Sequence, residues 1–229
     1  MRPHDLESPF DWNQRRLLIQ DRVWYAFPDH NNPDDPFVFP GWDHPDVFGN
    51  RNPVCLEYCS GNGAWIAEKA LANPQLNWVA LEMKFSRVRK IWSKIKNHQI
   101  PNLFIICGEA YNVTQHYLPK QSISQAFINF PDPWPKTRHI KKRLIQIPFL
   151  NQIENVFHKG ATLDFVTDDA NYSKWTIKLM SAVCEFQSSY PTPYYKTENE
   201  GYGSSYFDAL WRARGREIYY HRFQTVRVA

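Results

Sequence analysis

From Pro53 onward, the sequence alternates between short β-branched or aromatic runs and longer amphipathic stretches. This alternation is typical of a parallel sheet with helices packed on it, because each strand needs a helical crossover before the next parallel strand. It therefore predicts an α/β fold. The predicted strands are Val54–Tyr58, Trp78–Glu82, Leu103–Cys107, Ala126–Asn129, Ala161–Thr167 and Glu217–Val226.

Helices are predicted between these strands. In Phe85–Asn97, apolar side chains recur with the i, i+3, i+4, i+7 spacing of one helix face, and basic residues occupy the opposite face. Pro148 suits the first turn of a helix running toward His158, with Gly160 as its C-terminal cap. The other predicted helices are Ala64–Ala72 and Tyr172–Cys184. Residues 28–53, rich in Pro, Asp and Asn, are predicted to be an irregular lead-in.

The composition is that of one globular catalytic unit. The chain has 229 residues, of which 43% are hydrophobic and 22% are charged. No apolar stretch approaches the ~18 residues that a membrane span needs, and the first residues lack a signal core, so we expect a soluble cytoplasmic protein. The four cysteines lie in or beside apolar runs without zinc spacing, and we expect no metal. They are Cys55, Cys59, Cys107 and Cys184.

The net charge of +4 is unevenly distributed. No acid occurs between Glu82 and Glu109 or between Asp132 and Glu154, and each interval contains a cluster of Lys and Arg. The first cluster is open to interpretation as a solvated helix face. The second directly follows an unusual motif, described below.

Three consecutive strands are each followed or ended by an acidic residue. The first leads into Leu56–Gly63, a turn in which Gly61 and Gly63 allow a ligand to approach the backbone closely. Glu57, Glu82 and Glu109 lie at the ends of the three strands, where α/β sheets bind their ligands. We therefore expect the three carboxylates to converge on one crevice, although each could instead cap a helix N-terminus.

The ligand expected in this crevice is cationic and lacks phosphate. The acids are not accompanied by a phosphate-binding Lys, and the full G-x-G-x-x-G of nicotinamide enzymes is missing. S-adenosylmethionine, a sulfonium with a ribose and an adenine, fits such a crevice better than NAD, whose pyrophosphate would be repelled.

The fourth strand runs into a second motif, residues 129–143, with the sequence NFPDPWPKTRHIKKR. Its three prolines cannot lie inside a helix or a sheet, so they should stiffen a loop that fixes Asp132 and Trp134. Asp132 could accept hydrogen bonds from guanine, and Trp134 could stack on a base or pack in the core. The cations that follow could bind RNA phosphates.

This motif closely resembles the signature of the tRNA (guanine-N7)-methyltransferase family. The LEYCSGNG turn, the ALE strand end, the GEA turn and the VTDD strand end follow in the family's order, so the similarity covers most of residues 50–222. The resemblance implies a Rossmann-like class I methyltransferase fold: a mostly parallel seven-stranded sheet, helices on both faces and an antiparallel C-terminal strand. It also implies S-adenosylmethionine as cofactor, tRNA as partner and guanine 46 of the variable loop as methyl acceptor.

The resemblance further implies roles for individual residues. Asp132 would be the catalytic residue, and it would also contact the cofactor. The other cofactor-binding residues would be Glu57, Gly61, Gly63, Glu82 and Glu109. The substrate nucleotide would be bound by Lys136, Asp168, Ser205 and Asp208, and the tRNA by Arg138, His139, Lys141, Lys142 and Arg143.

Three positions depart from the family pattern. Cys59 stands where the family usually has Gly, Glu109 where it has Asp, and Ser205-x-x-Asp208 where it has Thr-x-x-Glu. The last two keep charge and hydrogen-bonding type, whereas the Cys59 side chain would intrude near the methionine moiety of the cofactor. We still expect an active enzyme, because Gly61 and Gly63 remain.

The sequence also predicts the organisation of the chain. Residues 1–50 would be an N-terminal lead-in with a short helix, with RNA contact left open, and residues 51–229 the methyltransferase domain. We expect a monomer, with a homodimer left open. Alternative functions are a catalytically inactive tRNA-binding relative, an amino-group methyltransferase and, least favoured, a nicotinamide enzyme.

Overall fold

A computed structural model describes residues 1–27, 37–183, 185–203 and 205–226 of the chain. Within it the chain divides into two compact units, Met1–Pro119 and Lys120–Ala229. The division does not coincide with the boundary at residue 50, which stays a prediction. Cys184 and residues 28–36 of the predicted lead-in lie outside the described residues.

The described residues of the first unit form five strands in the order β1-β2-β5-β4-β3. The strands are β1 (Leu17–Gln20), β2 (Val23–Ala26), β3 (Val54–Tyr58), β4 (Asn77–Glu82) and β5 (Leu103–Cys107). β3, β4 and β5 are parallel, β2 is parallel to β5, and β1 forms an antiparallel hairpin with β2. Every residue of β2 to β5 is buried, as expected for strands that are covered on both faces.

Within the described part of this unit there are three α-helices: α1 (Ala64–Ala72), α2 (Phe85–Asn97) and α3 (Ala110–His116). Val88, Ile91 and Trp92 on α2 are buried, as the apolar periodicity predicts. The basic face of α2 is not simply solvated. Arg89 Nε donates to the Leu6 carbonyl at 2.8 Å, and Lys96 pairs with Asp21. Part of the first basic cluster therefore attaches the N-terminal segment, including a short 3₁₀ helix (Pro3–Asp5), to α2.

In the second unit, the residues that the structure describes form four strands in the order β6-β7-β9-β8. β6 and β7 are parallel, whereas β9 runs antiparallel to both β7 and β8. This arrangement contains the antiparallel C-terminal strand implied by the family resemblance. The strands are β6 (Ile123–Asn129), β7 (Phe157–Thr167), β8 (Phe186–Ser188) and β9 (Tyr219–Thr225), and the helices are α4 (Ile147–Val156), α5 (Ala170–Ala182) and α6 (Tyr206–Ala213).

One predicted element ends differently in the structure. The helix beginning near Pro148 stops at Val156, and the predicted cap Gly160 lies instead within β7, with φ of 77°. Phe157 is buried and pairs with Ile123 of β6, so burial of this ring favours the strand over another helical turn. The prediction of Gly160 as a helix cap is therefore wrong.

The other predicted strands and helices are present with shifts of a few residues at their ends. Among the described residues, the N-terminal hairpin adds two strands to the seven that the resemblance implies, and β8, which the sequence pattern did not predict, is one of those seven. Helices α3 and α6 were not predicted. In the described part of the chain, no helix is long and apolar enough to cross a membrane.

A buried histidine connects three parts of the second unit. His221 on β9 is 1% exposed; its Nδ1 lies 3.1 Å from the Tyr194 carbonyl, and its Nε2 lies 3.0 Å from Ser173 Oγ on α5. Because a carbonyl can only accept, Nδ1 carries the proton and Nε2 accepts from the serine. Burial lowers the pKa of His221 to about 4, so the neutral ring is the native form.

The stability of the fold should consequently depend on pH through His221. The His221 ring takes up a proton near pH 6.5 in the unfolded chain but only near pH 4 in the folded chain. Its contribution to the free energy of unfolding is therefore complete above pH 6.5 and is lost as the pH falls toward 4. The loss amounts to about 3 kcal/mol. Urea unfolding at a series of pH values from 4 to 8 measures this loss of unfolding free energy. His221→Gln should be less stable at pH 7 but should lack this component, and an unchanged pH profile in the variant would contradict the assignment.

Candidate active site

The turn that follows β3 has the backbone shape that the glycine pattern predicts. Gly61 and Gly63 have φ of 58° and 68°, in the left-handed region that glycine adopts without strain. At Gly63 an added Cβ would lie 2.6 Å from Ile91 Cγ1, so a larger residue is excluded by packing as well. Gly63 is also the N-cap of α1, and the turn therefore delivers the chain from the strand tip into the helix.

Glu82, at the end of β4, stabilises this turn. It is 4% exposed, and its Oε2 accepts from the Gly61 amide at 2.9 Å while Oε1 accepts from the Lys84 amide at 2.8 Å. Arg87 Nη1 lies 3.5 Å from Oε2. One carboxylate therefore connects the tips of two neighbouring strands, and it does not cap α2, whose N-cap makes no side-chain bond.

Glu57 and Glu109 lie at the ends of the adjoining strands but differ in their surroundings. Glu57 is 3% exposed, near the end of β3. Glu109 is exposed and caps α3, accepting from the Tyr111 amide at 3.0 Å and the Asn112 amide at 2.7 Å. The alternative of helix capping is therefore confirmed for Glu109. Because β3, β4 and β5 are parallel neighbours, all three acids lie at one edge of the sheet.

These residues fit a cofactor that is cationic and carries hydroxyl groups. A Cβ built on Gly61 meets no atom nearer than the Cys59 carbonyl at 4.0 Å, so a ligand can approach the backbone of the turn there. Carboxylates accept hydrogen bonds from ribose hydroxyls and amines and attract a sulfonium. In the described part of the chain, no group of His, Cys, Asp or Glu could hold a metal ion.

In the second unit, the loop after β6 carries Asp132. The loop begins at Phe130, whose φ is 48° and whose amide donates to the Val166 carbonyl on β7 at 2.9 Å. Asp132 is exposed, between Pro131 and Pro133. The loop therefore presents this carboxylate to solvent on a backbone with little freedom.

The five residues predicted to bind tRNA do not share one environment. Arg138, Lys141 and Lys142 are exposed on a 3₁₀ helix (Thr137–Lys142), and His139 is partly buried. Arg143 is 4% exposed; its Nε donates to the Pro133 carbonyl at 2.8 Å, and its guanidinium lies 4.7 Å from the Tyr172 ring centroid. The expectation that Arg143 belongs to an exposed clamp therefore needs correction, because its charge is buried against the loop and α5.

Trp134 is partly buried rather than a core residue. Its φ is 43°, Lys142 Nζ lies 4.7 Å above the ring, and His139 meets the ring edge-on at 5.7 Å. The indole therefore organises the start of the exposed basic segment. Lys136, predicted to bind the substrate nucleotide, is exposed next to it.

The predicted substrate acids are already paired within the unit. Asp168, after β7, forms an ion pair with Arg216, whose guanidinium lies 4.1 Å from the Trp211 centroid. Asp208 is 9% exposed and accepts from Arg212 Nε at 2.9 Å and from the Tyr220 hydroxyl. Burial and the neighbouring Asp208 carboxylate raise the pKa of Tyr220 to about 12, so this phenol remains a donor.

Ser205 supports the same helix. Its Oγ accepts from the Asp208 amide at 3.1 Å, which makes it the N-cap of α6. The two arginines that pair with the acids, Arg212 and Arg216, were not predicted from the sequence. The i, i+4 spacing of Asp208 and Arg212 was a usable signal, whereas the pairing of Asp168 with Arg216 had no sequence signal because the residues are far apart in the chain.

The fold is shared with solved methyltransferase structures. A SAM-dependent methyltransferase from Aquifex aeolicus superimposes with a TM-score of 0.54 at 12% identity, covering 77% of this chain and 85% of that one. The 16S rRNA methyltransferase KamB gives 0.58 at 16% identity, covering 78% and 90%. The chain therefore has the fold of S-adenosylmethionine-dependent methyltransferases, with a mostly parallel sheet and antiparallel C-terminal strands.

Sequence comparison identifies the family within this class. Residues 51–221 match a family model described as "Putative methyltransferase". A tRNA (guanine-N(7)-)-methyltransferase of Chlamydia caviae is 45% identical over 226 residues, 97% of each chain. One of Geobacter metallireducens is 31% identical over 90% of this chain and 97% of its own length. The chain belongs to the tRNA (guanine-N7)-methyltransferase family.

Cys59 lies in the turn with φ of 58°, a conformation that costs a residue with a Cβ about 1–2 kcal/mol. Cys59→Gly should remove this strain, so we expect no loss of stability, and it should also remove the Cβ that would intrude near the methionine moiety, so we expect tighter binding of S-adenosylmethionine in calorimetry. Cys59→Ala is the matched control, because it removes the thiol but keeps the Cβ. Equal affinities for the glycine and alanine variants would show that a Cβ at this position does not affect cofactor binding.

Proposed function

We propose that this chain transfers a methyl group from S-adenosylmethionine to N7 of a guanine in tRNA, and that the acceptor is guanine 46 in the variable loop. The observation that carries the proposal is the exposed Asp132 on a braced loop, followed by exposed cations, in a chain of this family. The shared name of the curated relatives supports the guanine N7 specificity. The acidic residues at the strand ends of the first unit, Glu57, Glu82 and Glu109, support S-adenosylmethionine as the cofactor.

The chemistry requires positioning more than proton transfer. S-adenosylmethionine supplies an electrophilic methyl group whose C–S bond breaks with its electron pair going to sulfur. Guanine N7 has a lone pair and no proton, so the new N–C bond forms without a general base. The protein must therefore hold the base in line and stabilise the positive charge that develops on the purine, and alignment alone can supply about 7–11 kcal/mol.

Asp132 suits both tasks in this proposal. Its carboxylate can accept hydrogen bonds from guanine N1 and N2 and can offset the developing charge. Phe207, 43% exposed, has its ring centroid 6.1 Å from that of Phe130, two residues before Asp132. Tyr206 beside it is 70% exposed. These aromatic side chains offer a surface on which a base could stack next to the loop.

The basic segment would bind the RNA backbone. Arg138, Lys141 and Lys142 are exposed on one short helix, and such cations contribute affinity by releasing counterions from phosphates. Arg143 differs, because it is buried against the Pro133 carbonyl. In the proposed function it positions the Asp132 loop and does not contact RNA.

The central experiment incubates the protein with unmodified tRNA and labelled S-adenosylmethionine and maps 7-methylguanosine by aniline cleavage. We expect cleavage at guanine 46. Asp132→Asn keeps the shape of the side chain but removes its charge, so kcat should fall by about 100-fold or more while the fold is retained.

Asp46→Asn is the matched control, since Asp46 is an exposed aspartate in the first unit. It should keep wild-type turnover. Wild-type kcat in Asp132→Asn would remove Asp132 from the catalytic role, and methylation of a different nucleotide would disprove the proposed acceptor.

A second experiment separates phosphate binding from loop positioning. The double variant Arg138→Ala, Lys141→Ala should weaken tRNA binding and reduce the slope of log Kd against log salt by about 1.5, because two phosphate contacts are lost. Arg143→Gln should leave this slope unchanged but lower kcat, because the Pro133 carbonyl loses its donor. A reduced salt slope in Arg143→Gln would return this residue to the RNA-binding set.

A catalytically inactive tRNA-binding relative remains the second candidate. The strained Cys59 in the cofactor turn favours it, because family members usually have glycine there. Calorimetry with S-adenosylmethionine distinguishes the two functions: a protein that binds tRNA but not the cofactor would be the inactive relative.

A further inference from the structure

The first unit contains a pocket of about 450 Å³ that the sequence did not indicate. It is lined by Trp12, Arg15, Phe27, Met83, Phe85 and Glu109, among others. Its volume is within the range of small-molecule binding sites. Two of its residues come from the N-terminal segment, for which the sequence left open a contact with RNA.

The pocket lies at the edge of the sheet where the cofactor acids are. Met83 directly follows Glu82 at the end of β4, and Glu109 is the second residue after β5. β2 is parallel to β5, with Tyr25 opposite Cys107, so Phe27 leaves β2 at the same edge. The N-terminal hairpin therefore extends the carboxyl edge of the sheet and contributes a wall to the pocket.

The walls are aromatic and partly exposed. The Trp12 ring centroid lies 5.4 Å from that of Phe27 and 5.2 Å from that of Phe85, with the rings inclined to one another. Trp12 is 39% exposed and Met83 is 53% exposed. Apolar side chains left exposed around a pocket indicate a ligand that covers them, and flat aromatic walls suit a flat heterocycle.

The polar groups of the pocket suit adenine. Two backbone amides fix the Glu109 carboxylate, whose remaining lone pairs can accept from an exocyclic amine. Arg15, with its guanidinium 5.8 Å from the Phe27 ring centroid, supplies donors for ring nitrogens. Adenine has an amine beside a ring acceptor, whereas guanine and hypoxanthine place a carbonyl where the amine would be and would oppose the carboxylate.

We propose that the N-terminal segment containing Trp12 and Arg15 forms a wall of the pocket that binds the adenine of S-adenosylmethionine, and that it contributes to selecting this base. The segment is then a cofactor-binding element and not an RNA-binding arm. This inference rests on the proposed function, because it requires S-adenosylmethionine as the methyl donor.

Calorimetry with S-adenosylhomocysteine, the stable product, tests the inference on the full chain. Trp12→Ala should raise Kd by about tenfold, and Trp12→Phe, which keeps a ring, should raise it much less. Arg15→Ala should raise Kd severalfold. Arg16→Ala is its matched control, because Arg16 is an exposed neighbour that does not line the pocket, and it should bind like the wild type. The Kd for tRNA should change in none of the four variants.

Base selection gives an independent readout. The wild type should bind S-adenosylhomocysteine more tightly than S-inosylhomocysteine, in which a carbonyl replaces the amine. This preference should be smaller in Arg15→Ala and in Trp12→Ala, because each variant removes a side chain that would contact the base. Circular dichroism confirms that each variant is folded, and Arg15→Ala, which changes a surface side chain, keeps the test valid should Trp12→Ala not fold.

Two results would overturn the inference. One is unchanged binding of S-adenosylhomocysteine in both Trp12→Ala and Arg15→Ala, and the other is a loss of tRNA affinity with cofactor affinity retained. Glu109→Ala distinguishes this failure from that of the proposed function. If Glu109→Ala weakens binding of S-adenosylhomocysteine while the N-terminal variants do not, only the assignment of the N-terminal segment to the adenine pocket is wrong. If the wild type does not bind S-adenosylhomocysteine at all, the proposed function fails with it.

Discussion

The first unit depends on one carboxylate that accepts hydrogen bonds from two strand tips. Glu82 accepts one hydrogen bond from the Gly61 amide, in the turn after β3, and another from the Lys84 amide, just beyond the end of β4. Bonds from backbone amides to a buried carboxylate are stronger than neutral ones, and leaving such a group unsatisfied would be costly. The turn that would receive the cofactor is therefore fixed before any ligand binds. A preorganised site of this kind loses little conformational entropy on binding.

The second unit uses arginine where the first uses glutamate. Arg143 is bonded to the Pro133 carbonyl, and Arg212 and Arg216 pair with Asp208 and Asp168. Arg143 and Arg216 each fix a chain segment that follows a strand, whereas Arg212 and Asp208 pair within α6. Removing one member would leave the other poorly satisfied, so these residues cannot be interpreted as substrate ligands from loss of activity alone. Their charge is largely used within the fold, whereas Arg138, Lys141 and Lys142 on the Thr137–Lys142 helix are exposed and available to a polyanion.

Strong hydrophobic patterns made most of the fold predictable. Val54–Tyr58, Leu103–Cys107 and Phe85–Asn97 have the bounds that the pattern predicted. The β1–β2 hairpin was missed because its turn is formed by Asp21 and Arg22 with φ of 48° and 70°, without the Asn-Gly or Gly-Gly signal that usually marks such turns. Gly160 was misassigned for the opposite reason: its positive φ is required inside a strand, and a sequence cannot distinguish that from a helix cap.

The sequence places most of the candidate site residues at strand ends and in one loop, but it does not predict the surroundings of each side chain. The family motif selects Arg138, Lys141 and Arg143 equally, because a run of cations looks uniform in sequence, and only packing against Tyr172 and the Pro133 carbonyl separates the buried arginine from the exposed ones. Phosphate contacts contribute affinity but do not discriminate one base from another. In the proposed function, discrimination of guanine would therefore come from the rigid part of the loop, and a buried arginine that holds Pro133 in place would serve base recognition more than another exposed cation would.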